Sequence, residues 1–433
     1  MNSRRPNDPL LQDARAVLET GPVCDCCLGR CFAERGVAIS VEERGQALRT
    51  VLAMTADEPF EVVLPDACWV CEGSAELDYD SWTARTVDAV SDIEFDTIQI
   101  GTHPPQSLAK NERELRNRAG LAQDAGWTIN ALIDHRIGHR LLDEVDATLE
   151  TEHPDVVAVI DLVAEQVEVD ISPVYLYGRY RKLRPGIAQR VRECPACTGT
   201  GTVGNNGELT CPNCDGTGRV TSIEEMVAWS VRSILGGSDV KLHTAGGEAD
   251  DVLVKGTGRP FVLEVVEPRR RGIDIAEIEA EIAEVTDHRI VVDGLAYATP
   301  EIVEHVTHQP VRQRYRLTVT LADSRTEAEI EEAISALSEA SIRQRIDKGQ
   351  RPHDVVRTLQ DPTAERLDGG LVAFEFGVES GIDIEAIATG GAGRTEPSLA
   401  SVLTAEVELE SVAIVAIEGQ SEAFEEPDYL LDP

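Results

Sequence analysis

The sequence predicts a mixed α/β (α+β) protein of more than one domain, with cysteine-tied segments, on three observations. Apolar residues make up 42% of 433, which is enough for real cores and too long for a single one. Strand-like apolar runs such as Val156 to Ile160 alternate with stretches of helical period. Four Cys-x-x-Cys pairs punctuate the chain, at Cys24/Cys27, Cys68/Cys71, Cys194/Cys197 and Cys211/Cys214.

Taken in order, residues 1–75 hold a helix from Leu10 to Leu18, the first cysteine turn, a helix from Val41 to Met54 and the CWVC turn. They read as a small metal-tied module. Residues 76–192 carry strand-like runs at Thr97 to Gly101, Val156 to Val163 and Val167 to Ile171, around a largely helical stretch from Leu108 to Leu149. An α/β module with an antiparallel or mixed sheet is expected. A cysteine ribbon follows at 193–220. In residues 221–433, SIEE opens a helix from Ser222 to Ile234 with a capping box. Strands are expected at Asp251 to Lys255, Phe261 to Val266, Arg289 to Val292, Arg316 to Leu321, Gly370 to Glu379 and Val407 to Ile417. Helices at Asp274 to Thr286 and Arg325 to Ala340 interleave with them, and the acidic end EAFEEPDYLLDP reads as a solvated tail.

Two residues between thiolates let one turn point both sulfurs at one ion, and two such turns close a tetrahedral four-cysteine zinc site. Cys194, Cys197, Cys211 and Cys214 are the clearest case, as CPACTGTG and CPNCDGTG, with the glycine-rich segment GTGTVGNNG between them. Cys24, Cys27, Cys68 and Cys71 offer a second site from two elements 41 positions apart, against the alternative of buried structural cysteines or redox pairs. Cys26 or Cys31 could replace a member of the first pair. Either site is structural zinc, with no open coordination position for catalysis.

Charge excludes less than it suggests. The formal net charge is −38, from 78 acids against 40 bases of which only five are lysine. Acids spread along the whole chain suit proteins that work in molar salt, so local charge has to be read by segment. The apolar runs are far short of the roughly 20 residues that span a bilayer. The start MNSRRPNDPL has no apolar core of a signal peptide, so a cytoplasmic protein is expected, with no membrane partner and as a monomer. From Tyr175 to Arg192 the chain carries Arg179, Arg181, Lys182, Arg184, Arg190 and Arg192 without an acid, interleaved with tyrosines. Guanidinium groups grip phosphates and tyrosines stack on unpaired bases, which makes Arg179, Arg181 and Lys182 candidate RNA contacts. RQRYR around Tyr315 and the triplet Arg269 to Arg271 are smaller versions.

Four stretches, CDCCLGRCFA, PVYLYGRYRKLRPGIAQ, HTAGGEADDVLVKGTGRPFVLEVVEPRRRGID and GRTEPSLASVL, resemble the tenth family of tRNA pseudouridine synthases, found in archaea and eukaryotes. The resemblance covers nearly the whole chain. It implies a zinc-bearing N-terminal module with a THUMP-like RNA-binding domain, followed by a pseudouridine synthase domain with no organic cofactor. The implied substrate is the T loop of tRNA, at uridines 54 and 55. The family typically reads Gly-Arg-Glu-Asp-Val-Asp-Val before Gly-x-Gly-Arg-Pro-Phe, and an ungapped match places the second Asp on Asp251. The resemblance makes Asp251 the nucleophile, with Asp250 as the alternative, and sets Tyr315 against the target base. Gly247 stands at the motif's Arg, Ala249 at its first Asp, and Asp383 where a Tyr is usual. Arg259 is the substitute arginine by proximity in sequence. The rival from another class is a zinc-dependent RNA-binding or chaperone-like module without catalysis, since Cys-x-x-Cys-x-Gly-x-Gly occurs twice. A THUMP-containing methyltransferase or thiouridine enzyme ranks last, because no Gly-rich nucleotide loop follows a strand.

Overall fold

The computed structural model describes residues 8–204, 209–322, 325–346, 352–420 and 422–431, and divides into two units, Met1–Ser172 and Pro173–Pro433. Residues 205–208 of the glycine-rich segment, the first seven residues and the last two lie outside the described residues.

In the first unit α1 (Pro9–Glu19), α2 (Asp25–Arg30), α3 (Val41–Ala56) and α4 (Tyr79–Val90) precede β1 (Thr97–His103) and α5 (Gln106–Ala119). Then come α6 (Ile129–Leu141), β2 (Thr148–Leu149), β3 (Val156–Asp161) and β4 (Gln166–Ile171). Asp8, Ser40, Asp78 and Thr128 start α1, α3, α4 and α6 by accepting a first-turn amide. The sheet is mixed, in the order β2-β1-β3-β4, with β1 parallel to β2 and β3, and β4 antiparallel to β3. Val156, Ala158 and Ile160 alternate into the core. The stretch expected to be largely helical from Leu108 to Leu149 is two helices and a short strand. Gly120 ends α5 in the left-handed conformation, and the chain turns before Thr128 caps α6. One core runs from Ala14 through Cys68 and Cys71 to Ile171. The separate domains expected on either side of residue 75 therefore share their packing.

The second unit opens with β5 (Val174–Lys182), the hairpin β6 (Thr202–Val203) and β7 (Leu209–Thr210), α7 (Ile223–Leu235), β8 (Asp239–Thr244) and β9 (Leu253–Val266). It continues through α8 (Ile275–Val285), β10 (Ile290–Ala298), α9 (Ile302–His308), β11 (Val311–Leu321), α10 (Glu327–Glu339), β12 (Ser341–Ile346), β13 (His353–Thr358) and β14 (Gln360–Arg366). The remaining elements are β15 (Leu371–Glu379), α11 (Ile384–Thr389), β16 (Thr395–Glu396), α12 (Leu399–Leu403) and β17 (Val407–Gly419). The main sheet runs β10-β5-β9-β17-β11-β15-β14, with β8 paired to β9.

Several expectations change here. β5 lies inside this sheet, antiparallel to β9 and β10, so it belongs to the second unit rather than to the module of residues 76–192. The two strands expected between Asp251 and Val266 are one, β9, carried through Gly256 and Gly258. Ser222 caps α7 by accepting the Glu225 amide, but Glu225 turns to Arg219 instead of completing the box. The acidic end is not a solvated tail: Phe424 is 1% exposed, and Leu430 bridges to Ala298.

Candidate active site and metal centres

Each group of four cysteines is buried with its sulfurs within 4.8 Å of one another. Cys24 and Cys27 stand at the start of α2, and Cys68 and Cys71 come from the turns near Pro65. Sulfur to sulfur distances are 3.8 Å for Cys24 and Cys71, 4.0 Å for Cys194 and Cys211 and 3.8 Å for Cys197 and Cys214. A tetrahedral four-sulfur metal site has an edge of about 3.8 Å. Main-chain amides of Gly201 and Gly218 donate to the sulfurs of Cys197 and Cys214 at 3.3 Å, and the Asn213 amide donates to Cys194 at 3.4 Å. Such donors favour thiolates, the form that binds metal. The two knuckles lock together through glycine: a Cβ on Gly201 would lie 2.2 Å from the Gly216 carbonyl, and one on Gly218 would lie 2.3 Å from that of Gly199. Both groups can therefore hold a metal ion.

Cys26 and Cys31 stay outside the first group. Burial, followed by the Glu42 carboxylate, pushes the Cys26 thiol up to about 12, and the Cys31 thiol donates to the Cys27 carbonyl.

In the second unit, strand alternation sorts the charges. Along β5, Tyr180 and Lys182 face inward, while Arg179 and Arg181 point to the other side. The inward pair meets a polar cluster. Arg259 Nε lies 2.7 Å from the Glu248 carboxylate, with both side chains 0% exposed, and the Tyr180 hydroxyl donates to Glu248 at 2.9 Å. Burial, followed by the Glu248 charge, holds the Tyr180 phenol well above its ordinary value. Lys182 Nζ donates to the carbonyls of Ile187, Ala249 and Asp250 at 3.1, 2.9 and 3.2 Å, so the cluster holds down the turn between β8 and β9 from beneath.

Tyr315 sits in the middle of β11, not at a loop or strand entry. It is buried, with its hydroxyl donating to Gln313 at 2.7 Å. Gly246 joins Tyr315's partner to the cluster, because a Cβ there would lie 3.2 Å from Arg259 Nη1 and 3.3 Å from Gln313 Nε2. Burial raises the Tyr315 phenol to about 12, so it is protonated at neutral pH. The arginines flanking it in sequence project to the opposite face, where Arg316 and Arg314 pair with Glu375 at 2.7 and 3.6 Å.

The predicted carboxylates separate on this turn. Asp251 is exposed, whereas Asp250 forms an ion pair with Arg192, and its carbonyl accepts from the Gly186 amide at 2.8 Å as well as from Lys182. Arg259 does not orient Asp251; its guanidinium is committed to Glu248 and to the carbonyls of Ala245 and Gly247. Asp383 is explained locally, as the N-cap of α11.

The basic stripe is also divided. Lys182 is spent on main-chain carbonyls and does not reach solvent. Arg179 pairs with Glu425 of the C-terminal segment, which also accepts from Tyr177 at 2.6 Å, and Arg181 pairs with Asp293 at 2.6 Å. Arg184, Arg190 and Arg192 are exposed, with Arg190 paired to Glu224 at 3.2 Å and Arg192 to Asp250.

Glu248, Gln313 and Gln189, which donates to Glu248 and to the Tyr180 hydroxyl, were not named from sequence. A signal existed, since Glu248 and Arg259 occupy the Glu and the Arg of the motif that singled out this stretch.

Comparison with known proteins gives the class first. A family model described as "Pus10 THUMP domain, archaeal" matches residues 82–161, and one described as "Pus10, C-terminal" matches residues 175–418. The chain thus joins a THUMP domain to a pseudouridine synthase-type domain. Proteins named tRNA pseudouridine synthase Pus10 align along nearly its full length. That of Halorubrum lacusprofundi is 37% identical, covering 97% of this chain and 99% of its own. Those of Methanopyrus kandleri and Pyrococcus furiosus are 31% and 29% identical, each covering 94% of this chain and 98% of its own. The chain belongs to the Pus10 family. Among the described residues no helix is long and apolar enough to cross a membrane.

Proposed function

We propose that this chain is a cytoplasmic tRNA pseudouridine synthase that isomerises uridines 54 and 55 of the T loop, with an aspartate of the turn after β8 as nucleophile. The observation that carries the reading is the pinned turn. Its main chain is fixed by Lys182 and by the buried Glu248–Arg259 pair, it presents Asp250 and Asp251 outward, and Tyr315 lies one side chain away through Gln313. Asp251 remains the sequence's choice for the attacking carboxylate, and Asp250 is the alternative that a cation already orients.

The chemistry needs one ionised carboxylate and no energy source. If the carboxylate attacks the sugar, its oxygen bonds to C1′ as the C1′–N1 bond breaks, and that electron pair leaves with the uracil anion. The base then turns and C5 bonds to C1′, which returns an electron pair to the carboxylate; the C5 proton is lost and N1 gains one. In the version that attacks the base, the carboxylate oxygen bonds to C6 of uracil as the C5–C6 π pair moves to the C4 carbonyl oxygen; the C1′–N1 pair then leaves with the ring and N1 gains a proton, C5 bonds to C1′, and loss of the C5 proton restores the C5–C6 double bond as the C6–oxygen pair returns to the carboxylate. The protonated phenol of Tyr315 supplies a face for the extruded uracil rather than a base. Exposed Arg184, with Arg181 and Arg190 beside it, faces the tRNA backbone, while Arg192 acts through Asp250, Arg179 through Glu425 and Lys182 through the turn. The metal in both cysteine groups is structural zinc, held by Cys24, Cys27, Cys68 and Cys71 and by Cys194, Cys197, Cys211 and Cys214.

The test is to incubate the protein with unmodified tRNA transcript and map pseudouridine by carbodiimide-dependent reverse-transcription stops, for wild type, Asp251→Ala and Asp250→Ala. No stop at either position with wild type, alongside intact tRNA binding, would favour the non-catalytic RNA-binding reading. Undiminished product from Asp251→Ala would remove that residue from the mechanism.

A further inference from the structure

We propose that Trp127, His135 and His139 of the first unit form a stacking platform for unpaired nucleobases of RNA. Residues 127, 131, 135 and 139 recur every four positions, so they fall on one stripe along α6 and the turn that leads into it. Ala131 is small, which lets the Trp127 ring pass over it and meet His135 directly. The ring centroids lie 4.9 Å apart, and His135 and His139 follow at 4.3 Å. His135 and His139 are exposed and Trp127 is half-buried, and successive rings are tilted by 42° and 57° to one another.

This stripe is not what holds α6 in place. The helix packs through Ile129, Leu132, Ile133, Ile137 and Leu141, which lie on its buried side. The platform is nevertheless rigid at its root: the Trp127 amide donates to the Arg30 carbonyl at 2.8 Å, and its own carbonyl accepts from Arg30 at 3.0 Å and Arg116 at 3.2 Å.

The rings point to the occupant. The basic neighbours that act on His135 are His139 and Arg136, and Arg136 is itself paired with Glu42 and bonded to the Tyr79 hydroxyl. Burial followed by those two neighbours lowers the His135 imidazole, which leaves it neutral at neutral pH and presents a π face rather than a charge. A cluster of aromatic rings at the surface suits an unpaired nucleobase, which stacks through its π face. Stacking also survives where phosphate contacts do not, because molar salt removes most of the counterion-release term. The choice of RNA as occupant rests on the function proposed above; the location of the platform does not.

The experiment uses the full-length chain in molar KCl with two probes, an unmodified tRNA transcript and a short unstructured RNA carrying 2-aminopurine. Wild type should quench the 2-aminopurine on binding. His135→Ala and Trp127→Ala should each weaken binding by roughly tenfold or more, and Trp127→Phe, which keeps a ring, should retain most of the affinity. His135→Ala sits on an exposed face, so its circular dichroism and unfolding midpoint should match wild type and separate stacking from folding. Wild-type affinity in His135→Ala, His139→Ala and Trp127→Ala, or a bound 2-aminopurine that is not quenched, would overturn the proposal. Activity does not enter this measurement: a chain that stacks RNA here yet makes no pseudouridine sinks the enzymatic reading and leaves the platform standing.

Discussion

Arg259 and Glu248 form an ion pair at 2.7 Å in which neither side chain is exposed to water, and the turn that carries Asp250 and Asp251 is built on top of it. Desolvating both charges is costly, and their attraction together with the Tyr180 and Lys182 contacts offsets that cost only while every member is present.

Glu248→Ala strands a buried guanidinium. It should cost about 3–5 kcal/mol of stability, the usual price of breaking a buried pair from one side. Replacing both partners at once, with Glu248→Leu and Arg259→Met, should cost less than the single change. Denaturant unfolding in molar KCl measures both, and a single-variant cost below about 1 kcal/mol would mean that the pair is not the foundation of the turn.

Phe424 anchors the C-terminal segment beneath Arg179 and beside His305. Phe424→Ala should cost about 3–5 kcal/mol, as for other fully buried aromatics, and should free Glu425 from Arg179. Limited proteolysis reads the second effect: faster cleavage after residue 419 is expected, and an unchanged cleavage rate counts against the packed tail.

Asp134, on the side of α6 that meets β1, has its carboxyl pushed up to about 6 by burial, against the partial relief of the Thr102 hydroxyl. A carboxyl whose value rises on folding holds its proton more tightly in the folded chain. Its destabilising effect is therefore absent below about pH 4, grows between about pH 4 and 6, and is complete above that. Asp134→Asn should accordingly be more stable than wild type by about 1–2 kcal/mol near pH 7.5, after allowing for partial exposure. Near pH 4 the advantage should vanish. Thermal unfolding of both proteins at the two pH values decides it, and an equal gain at both would contradict the burial argument.

Cys211→Ser should remove one of about two metal equivalents per chain by elemental analysis, given two four-sulfur groups. The loss should also release the knuckle amides of Gly201 and Gly218, seen as faster hydrogen exchange there. Retention of both equivalents would show that this group is not a metal site.

Element types were largely legible because they depend on neighbours within a few residues. Val156 to Ile160 reads as a strand, and Val41 to Met54 as a helix, from periodicity alone. The basic stripe was misleading for the same local reason. A run of like charges says nothing about sides, whereas a strand sends Lys182 one way and Arg179 and Arg181 the other. RQRYR behaves alike, with Tyr315 inward and its arginines on acids across the sheet.

By itself the sequence determined that the ribbon carries two Cys-x-x-Cys pairs, the kinds of element and, through its motifs, the family, because each of these resides in short runs of residue types. Only the tertiary structure decided that Cys24 and Cys27 meet Cys68 and Cys71, that β5 joins the second unit's sheet, and that Glu248 is buried while Asp251 is exposed. Burial and ion pairing depend on which distant strands stand side by side and on how much water they exclude. Arg179 finds Glu425 across 246 positions, a separation over which no local pattern carries information.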